Sequence, residues 1–390
     1  MRIAFVAPFY GAEASGGAEA ECRATAMHLS AAGHGVEVFT TCALDIMHDW
    51  NVNYHRRGTR KEDGLPVHRF PVETIDLGLF FSLNDRIISG GKLSREEQNL
   101  YFEMHVCSTA LLEALGRAYD SFDWFCFIPY LFSTTVFGSA ICSGKNVLMP
   151  CLHDEPYARL EIVGDLFRKS RRIVFHTKSE RQLAESLYGP MESSARLVGE
   201  GASMDFPSDA NRFRSKFHIA DPFLLYVGRK DSSKNVHTLV EYFAEYAGNS
   251  ETGLKLVLIG PGSVRMPVTV SGRIIDLGFV SEEDKRDAYS AAAMLCQPSL
   301  NESFSIVMME AWVCGIPCLV HGKCSVTRDH VVEAGGGLYF ENYPEFEGCL
   351  RYIGSHPAEV ASMGRAGRDY VKERYAWDRI VARFQDEVFV

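Results

Sequence analysis

Two glutamates, Glu302 and Glu310, stand eight residues apart in a stretch that begins at Asn301 and ends at Gly315-Ile-Pro317. An apolar run closing at Pro298 leads into it, and Asn301 or Ser303 is read as the cap of a helix whose apolar face is Ile306, Val307 and Trp312. The first amides of a helix lack intrahelical partners and attract an anion. Glu302 then lies at the mouth and Glu310 further along, at about 1.5 Å of rise per residue. An anion at the helix end would have hydroxyl-accepting carboxylates on both sides. The same residues also fit a capped helix with solvated glutamates.

A second group is Gly228-Arg229-Lys230-Asp-Ser-Ser-Lys234-Asn235, directly after an apolar run. Gly228 allows close backbone approach, and Arg229 and Lys234 place two cations where a phosphate would sit. A charged loop capped by Ser233 or Asn235 is the plainer alternative. Gly260-Pro-Gly262 follows another apolar run and is a common kind of turn. His153 follows the run at 145–149, as a ligand-facing or a structural histidine. The small-residue loop ending in Gly16-Gly17 lacks the GxGxxG spacing of dinucleotide sites. The run from Gly138 to Asn146 misses the phosphate-loop spacing and reads as a helix end leading into a strand.

These groups sit on two series of alternating strand and helix signals. In the first, apolar runs at 3–7, 36–40, 124–128, 145–149 and 172–175 read as strands, with a helix at 18–32 and another at 94–119. Residues 43–94 read as an irregular insertion with a β-like segment at 67–70. The second series has runs at 223–227, 256–259, 274–277, 294–297 and 317–320. Short strands separated by helices imply parallel sheets with ligands at the carboxyl ends of the strands. The boundary is placed at 200–220, and 375–388 reads as an amphipathic segment carrying Trp377.

At 390 residues, 46% of them hydrophobic, the chain suits two domains with large cores. A net charge of -10 argues against a nucleic-acid binder. Eleven cysteines without a CxxC pair read as reduced thiols of a cytoplasmic protein, and no zinc spacing joins them to the thirteen histidines. The first apolar run stops at Pro8, too short for a signal-peptide core, and no apolar run reaches the length of a membrane span. Residues 167–181 carry six basic residues and one acidic; with Leu77-Gly-Leu-Phe-Phe81 they form a candidate peripheral membrane contact, or else an ordinary solvated rim.

Taken together, these motifs resemble the retaining glycosyltransferases of family 4, the glycosyl transferases group 1. Glu302 to Glu310 is similar to that family's Glu-x7-Glu signature, and Gly228-Arg229…Lys234 to its diphosphate clamp. Gly16-Gly17, His153-Asp154, Gly260-Pro-Gly262 and Gly278-Phe-Val280 occur in the family's order. The resemblance implies an α/β GT-B fold: Rossmann-like acceptor and donor domains (1–200 and 201–375) facing across a cleft, with a final helix (376–390) crossing back.

It also implies the roles. Arg229 and Lys234 would hold the donor diphosphate, with Gly228 and the segment Ser303, Phe304, Ser305 and Ile306. Glu310 would hold the ribose, Glu302 the sugar hydroxyls, and the backbone at Val280 the base. His153 would face the sugar, and Gly16 and Gly17 would approach the phosphates. The substrate would be a UDP- or GDP-linked sugar and the acceptor a glycan or a lipid-linked molecule. Attack would be from the front face, and no cofactor or metal would be required, since no Asp-x-Asp motif occurs. The chain departs from the family at Ser305, where glycine is usual, and at Gly199-Glu-Gly-Ala-Ser203, where Asn-Gly-Val-Asp is usual. The rival readings are a sugar-nucleotide epimerase of the same fold and an inactive sugar-nucleotide-binding module.

Overall fold

The computed structural model describes residues 1–14 and 16–390, and its chain divides into two compact units. The first comprises Met1–Gly201 with Trp377–Val390; the second is Ala202–Ala376.

In chain order the first unit runs β1 (Arg2–Val6), α1 (Gly17–Ala31), β2 (Gly35–Thr41), β3 (Gly58–Glu62), β4 (Leu65–Phe70), α2 (Leu77–Ile88), α3 (Arg95–Glu103), α4 (Thr109–Ala118) and β5 (Trp124–Phe127). It continues α5 (Ser133–Ile141), β6 (Asn146–Leu148), α6 (Glu161–Lys169), β7 (Arg172–Phe175), α7 (Lys178–Tyr188) and β8 (Ala195–Leu197). The sheet order is β3-β4-β2-β1-β5-β6-β7-β8, parallel except for the β3–β4 hairpin.

The second unit is α8 (Ala210–Phe217), β9 (Phe223–Val227), α9 (Val236–Asn249), β10 (Lys255–Ile259), β11 (Ile274–Gly278), α10 (Glu282–Ala291) and β12 (Met294–Gln297). After these come α11 (Ile306–Val313), β13 (Cys318–His321), α12 (Ser325–Ala334), β14 (Gly337–Phe340), α13 (Tyr343–Ser355) and α14 (Pro357–Arg374). Its parallel sheet is ordered β11-β10-β9-β12-β13-β14. β9 is buried at all five residues, as a central strand covered on both faces must be. Leu224, Tyr226, Leu239, Phe243, Leu258 and Phe346 share one core.

Strand order reverses beside β1 in the first sheet and beside β9 in the second. The loops leaving β1 and β5 diverge there, as do those leaving β9 and β12, and such divergence opens a ligand crevice at the strands' carboxyl ends. The chain returns to the first unit through α15 (Trp377–Arg383) and a wider turn over Phe384–Val388. The Trp377 ring lies so close to Gly201 that a Cβ there would fall 2.4 Å from it, which explains glycine within the segment that departs from the family's turn.

Three sequence expectations are corrected. The β-like segment expected at 67–70 is β4, but the rest of 43–94 is less irregular than expected: it contains β3 and α2, the last capped by Asp76, whose carboxylate accepts from the Leu79 amide at 3.0 Å. The single helix expected at 94–119 is two, α3 and α4. Between them Val106 has φ 57, and His105 is buried among the rings of Trp50, Phe80, Tyr101 and Phe132. Burial pushes the His105 pKa down to about 3 and leaves the ring neutral. The edge strands β3, β8 and β14 add to the expected set.

Candidate functional site

In the second unit the loops after β9 and β12 are joined. Asp231 accepts from the amides of Ser233 and Lys234, folding a short turn, and Asn235 then begins α9 in a left-handed conformation. The expected cap is therefore corrected: the side chain of Asn235 does not cap α9, and instead its Nδ2 donates to Pro298 O at 3.0 Å. One residue earlier, Lys234 Nζ donates to Glu302 Oε1 at 2.7 Å. Gln297 Nε2, at the end of β12, reaches both Glu302 Oε1 and Ser305 Oγ at 3.3 Å. Arg229 is half-exposed, with its Nε 3.5 Å from Asp231 Oδ2. Burial opposes the charge of Asp231, but Ser233 and Arg229 keep its pKa below the ordinary value.

Lys230 behaves differently from its neighbour. Its ammonium is buried against Asp276 Oδ1 at 2.7 Å and the carbonyl of Gly260. It ties the β9 loop to β10 and β11. The backbones meet closely here: a Cβ on Gly260 would lie 2.1 Å from Gly228 O, so Gly260 admits no side chain.

The helix expected after Asn301 starts later. α11 begins at Ile306 and its N-cap is Ser305, whose side chain makes no capping bond, so neither Asn301 nor Ser303 is the N-cap residue. Its buried face is Met308, Met309, Ala311, Trp312 and Val313, while Ile306 and Val307 are only half-buried, which corrects the expected face. Ser303 is half-buried; Phe304 is buried, edge-on to His330 and Tyr375 at 5.3 and 5.0 Å. Ser305 has φ 76 and ψ 70, a left-handed conformation that favours glycine. This accounts for the family's usual glycine; here serine bears the strain and accepts a hydrogen bond from Gln297. Ser305→Gly is expected to keep stability within about 1 kcal/mol, because relief of strain offsets the lost hydrogen bond. Ser305→Val, β-branched at positive φ, is expected to cost about 2 kcal/mol. Denaturant unfolding of the two variants measures the contrast.

Glu310 lies one turn into α11. Its Oε2 accepts from Tyr289 Oη at 2.7 Å and its Oε1 from Lys285 Nζ at 3.2 Å, and Lys285 also pairs with Glu282 at 2.9 Å. Burial opposes the Lys285 charge, yet Glu310 and Glu282 hold its pKa above the ordinary value. Val280 is half-buried beside Phe279, which is 82% exposed. Sequence reasoning missed Lys230, Lys285, Tyr289 and Gln297; a glutamine closing an otherwise apolar strand was the available signal for the last.

In the first unit Gly16 and Gly17 begin α1, and Gly16 serves as its N-cap. His153 is half-buried in the loop after β6. Asp154 pairs with Arg159 at 2.6 Å, and Glu155 accepts from Tyr130 Oη at 2.6 Å. At least four of the six cations at 167–181 have a partner within their own unit, though Arg168 and Lys169 stay exposed. Phe167 and residues 173–175 are buried; Arg168 and Lys169 pair with Asp165, Arg172 donates to Val390 O, and Arg181 pairs with Glu185. Leu79 and Phe81 of α2 remain exposed, whereas Phe80 is buried. No described helix is long and apolar enough to cross a membrane.

The model of the family described as glycosyl transferases group 1 matches residues 207–369. Over that segment the chain is similar to the group 1 glycosyltransferases. The matched segment holds Gly228, Arg229, Lys234, Val280, Glu302 and Glu310. The chain is 25% identical over 254 residues to the D-inositol 3-phosphate glycosyltransferase of Nocardiopsis dassonvillei, a match covering 60% of this chain and 58% of that protein. It thus spans little more than half the length of that relative. Sucrose-phosphate synthase from Thermosynechococcus elongatus is similar in structure, with a TM-score of 0.74 at 17% identity over 98% of this chain and 97% of that one. Anabaena HepE in complex with UDP-glucose gives a TM-score of 0.70 at 14% identity over 100% and 99%. These likenesses show the fold, two Rossmann-like domains of the GT-B type.

Proposed function

We propose that this chain transfers a glycosyl group, with retention of anomeric configuration and without a metal, from a UDP- or GDP-linked sugar to a glycan or lipid-linked acceptor. The observation that carries this reading is the contact of Lys234 with Glu302 beside the start of α11, at the point where strand order reverses. Breaking a sugar–phosphate bond puts growing negative charge on the departing diphosphate. Lys234, Arg229 and the first amides of α11 are preorganised donors for that charge. A diphosphate arriving there would draw Lys234 from Glu302 and leave the carboxylate to accept from sugar hydroxyls. Glu310, fixed by Tyr289 and Lys285, would accept from the ribose, and the backbone at Val280 would meet the base. His153 would face the sugar. A phosphate oxygen of the leaving group would take the acceptor's proton, so Glu302 and Glu310 need not act as the acid–base carboxylate pair of a hydrolase.

HepE, solved in complex with UDP-glucose, supports a nucleotide-sugar donor. Two measurements test the reading together. NMR of the product linkage is expected to show the donor's configuration retained, and turnover is expected to persist in excess chelator. An inverted product, or activity lost in chelator and restored by a divalent ion, would contradict it.

A further inference from the structure

Behind the loop that carries His153 lies a buried polar cluster with no part in the reading above. His176 follows β7, with both ring nitrogens occupied by carboxylates. Nε2 contacts Glu21 Oε1 on α1 at 2.6 Å, and Nδ1 contacts Glu180 Oε2 on α7 at 3.1 Å. Glu180 is also bound by backbone: Oε2 accepts from the His176 amide and Oε1 from the Leu152 amide, each at 2.7 Å. The Cys151 thiol donates to Glu21 Oε2 at 3.5 Å, from a backbone held at φ 52. Burial works against an imidazolium here, but the two glutamates hold the His176 pKa well above that of a free histidine.

Glu21, Cys151 and His176 also have the residue types of a metal site. The geometry favours a proton instead. Two ligands of one tetrahedral zinc, each about 2.0–2.2 Å from it, stand roughly 3.3 Å apart. Nε2 and Glu21 Oε1, at 2.6 Å, are at hydrogen-bond distance.

We propose that Glu180 and Glu21, joined through His176, are positioning residues that lock the two positions before His153, Cys151 and Leu152, to α7 and to the first turns of α1. The anchors fall on consecutive residues immediately before His153. Glu21 lies one turn beyond Gly17, so the same cluster fixes the His153 loop against the helix that begins at Gly16-Gly17. The proposal rests on the reading that His153 faces the reacting sugar.

The test uses Glu180→Gln, Glu21→Gln and His153→Ala, with each glutamine variant also combined with His153→Ala. The substrate is whichever UDP- or GDP-sugar the wild-type chain hydrolyses fastest without acceptor. Each glutamine variant is expected to lower kcat about tenfold or more, as a displaced reacting group does, and to leave UDP or GDP affinity within about twofold of wild type, since the charged phosphate contacts, Arg229 and Lys234, lie in the other unit. Adding either to His153→Ala is expected to cost nothing further, because the group being positioned is already gone. Hydrogen exchange of the 149–155 backbone is expected to be slow in wild type and faster in both glutamine variants.

Multiplicative losses in the double variants, or full kcat in Glu180→Gln, would overturn the proposal alone. Full kcat in His153→Ala would overturn it together with the role of His153. Stoichiometric zinc in the purified protein would overturn it in favour of a metal centre. A wild-type chain that hydrolyses no nucleotide sugar would sink the glycosyltransferase reading, while the exchange measurement would still judge the anchoring. Should neither glutamine variant fold, Cys151→Ala removes only the weak thiol contact. It is expected to lower kcat about threefold in wild type and not at all in His153→Ala; an equal loss in both backgrounds would overturn the proposal.

Discussion

Lys234→Ala is expected to weaken binding of UDP or GDP by about tenfold to 150-fold, the equivalent of roughly 1.5–3 kcal/mol for one charge-assisted phosphate contact. Arg229→Ala is expected to fall at the lower end of that range. Its side chain is 38% exposed and already faces Asp231, so water screens more of its charge. The Lys234–Glu302 contact makes a sharper version of the experiment available. If the carboxylate competes with phosphate for Lys234, Glu302→Gln keeps or tightens diphosphate binding and yet abolishes sugar transfer. Calorimetry with UDP and GDP, beside turnover of the corresponding sugars, separates the two effects. Loss of both binding and turnover in Glu302→Gln would mean that the glutamate supports the clamp and does not compete with it.

Removal of Glu310 is expected to act on both stability and selectivity. Glu310→Ala leaves the buried Tyr289 hydroxyl without its acceptor and Lys285 with Glu282 alone, a cost of about 2 kcal/mol. UDP affinity is expected to drop about tenfold or more through the lost ribose contact, while inorganic pyrophosphate binding stays within about threefold. Unfolding curves and competitive titration of the two ligands check the two halves. An equal loss for UDP and pyrophosphate would place Glu310 in the scaffold alone.

The parts of this molecule that sequence could reveal are those whose physics is local. Phe223–Val227 and Met294–Gln297 are central parallel strands, so burial on both faces writes them as unbroken apolar runs. Gly337–Phe340 and Ala195–Leu197 lie at sheet edges, where one side needs no partner, and their short mixed sequences carry no comparable signal. α2 was hidden by Gly78 and clustered aromatics, although Asp76 offered a cap signal. The start of α11 was misplaced because the rule for helix starts looks for a capping side chain, and Ser305 begins this one by left-handed backbone instead.

In the site, Arg229, Lys234, Glu302 and Glu310 were legible because their types and spacing are unusual within short stretches. What holds them was not. Lys230 sits between candidate cations and looks like another surface charge, yet its ammonium is buried on Asp276, 46 residues away. Glu21 and His176 are 155 residues apart, and nothing local marks a buried glutamate on a helix as the partner of a distant histidine. Tertiary neighbours decide such roles, and one sequence does not display them.

The central claim is that the loops after β9 and β12 form a metal-independent clamp for a nucleoside diphosphate. Isothermal titration of UDP, GDP, UMP and GMP into the wild-type chain in excess chelator tests it without knowledge of the acceptor. The expected result is one site per chain that binds UDP or GDP at least about tenfold more tightly than its monophosphate, about 1.4 kcal/mol or more. Absence of binding by both diphosphates, or equal affinity for mono- and diphosphates, would contradict the account.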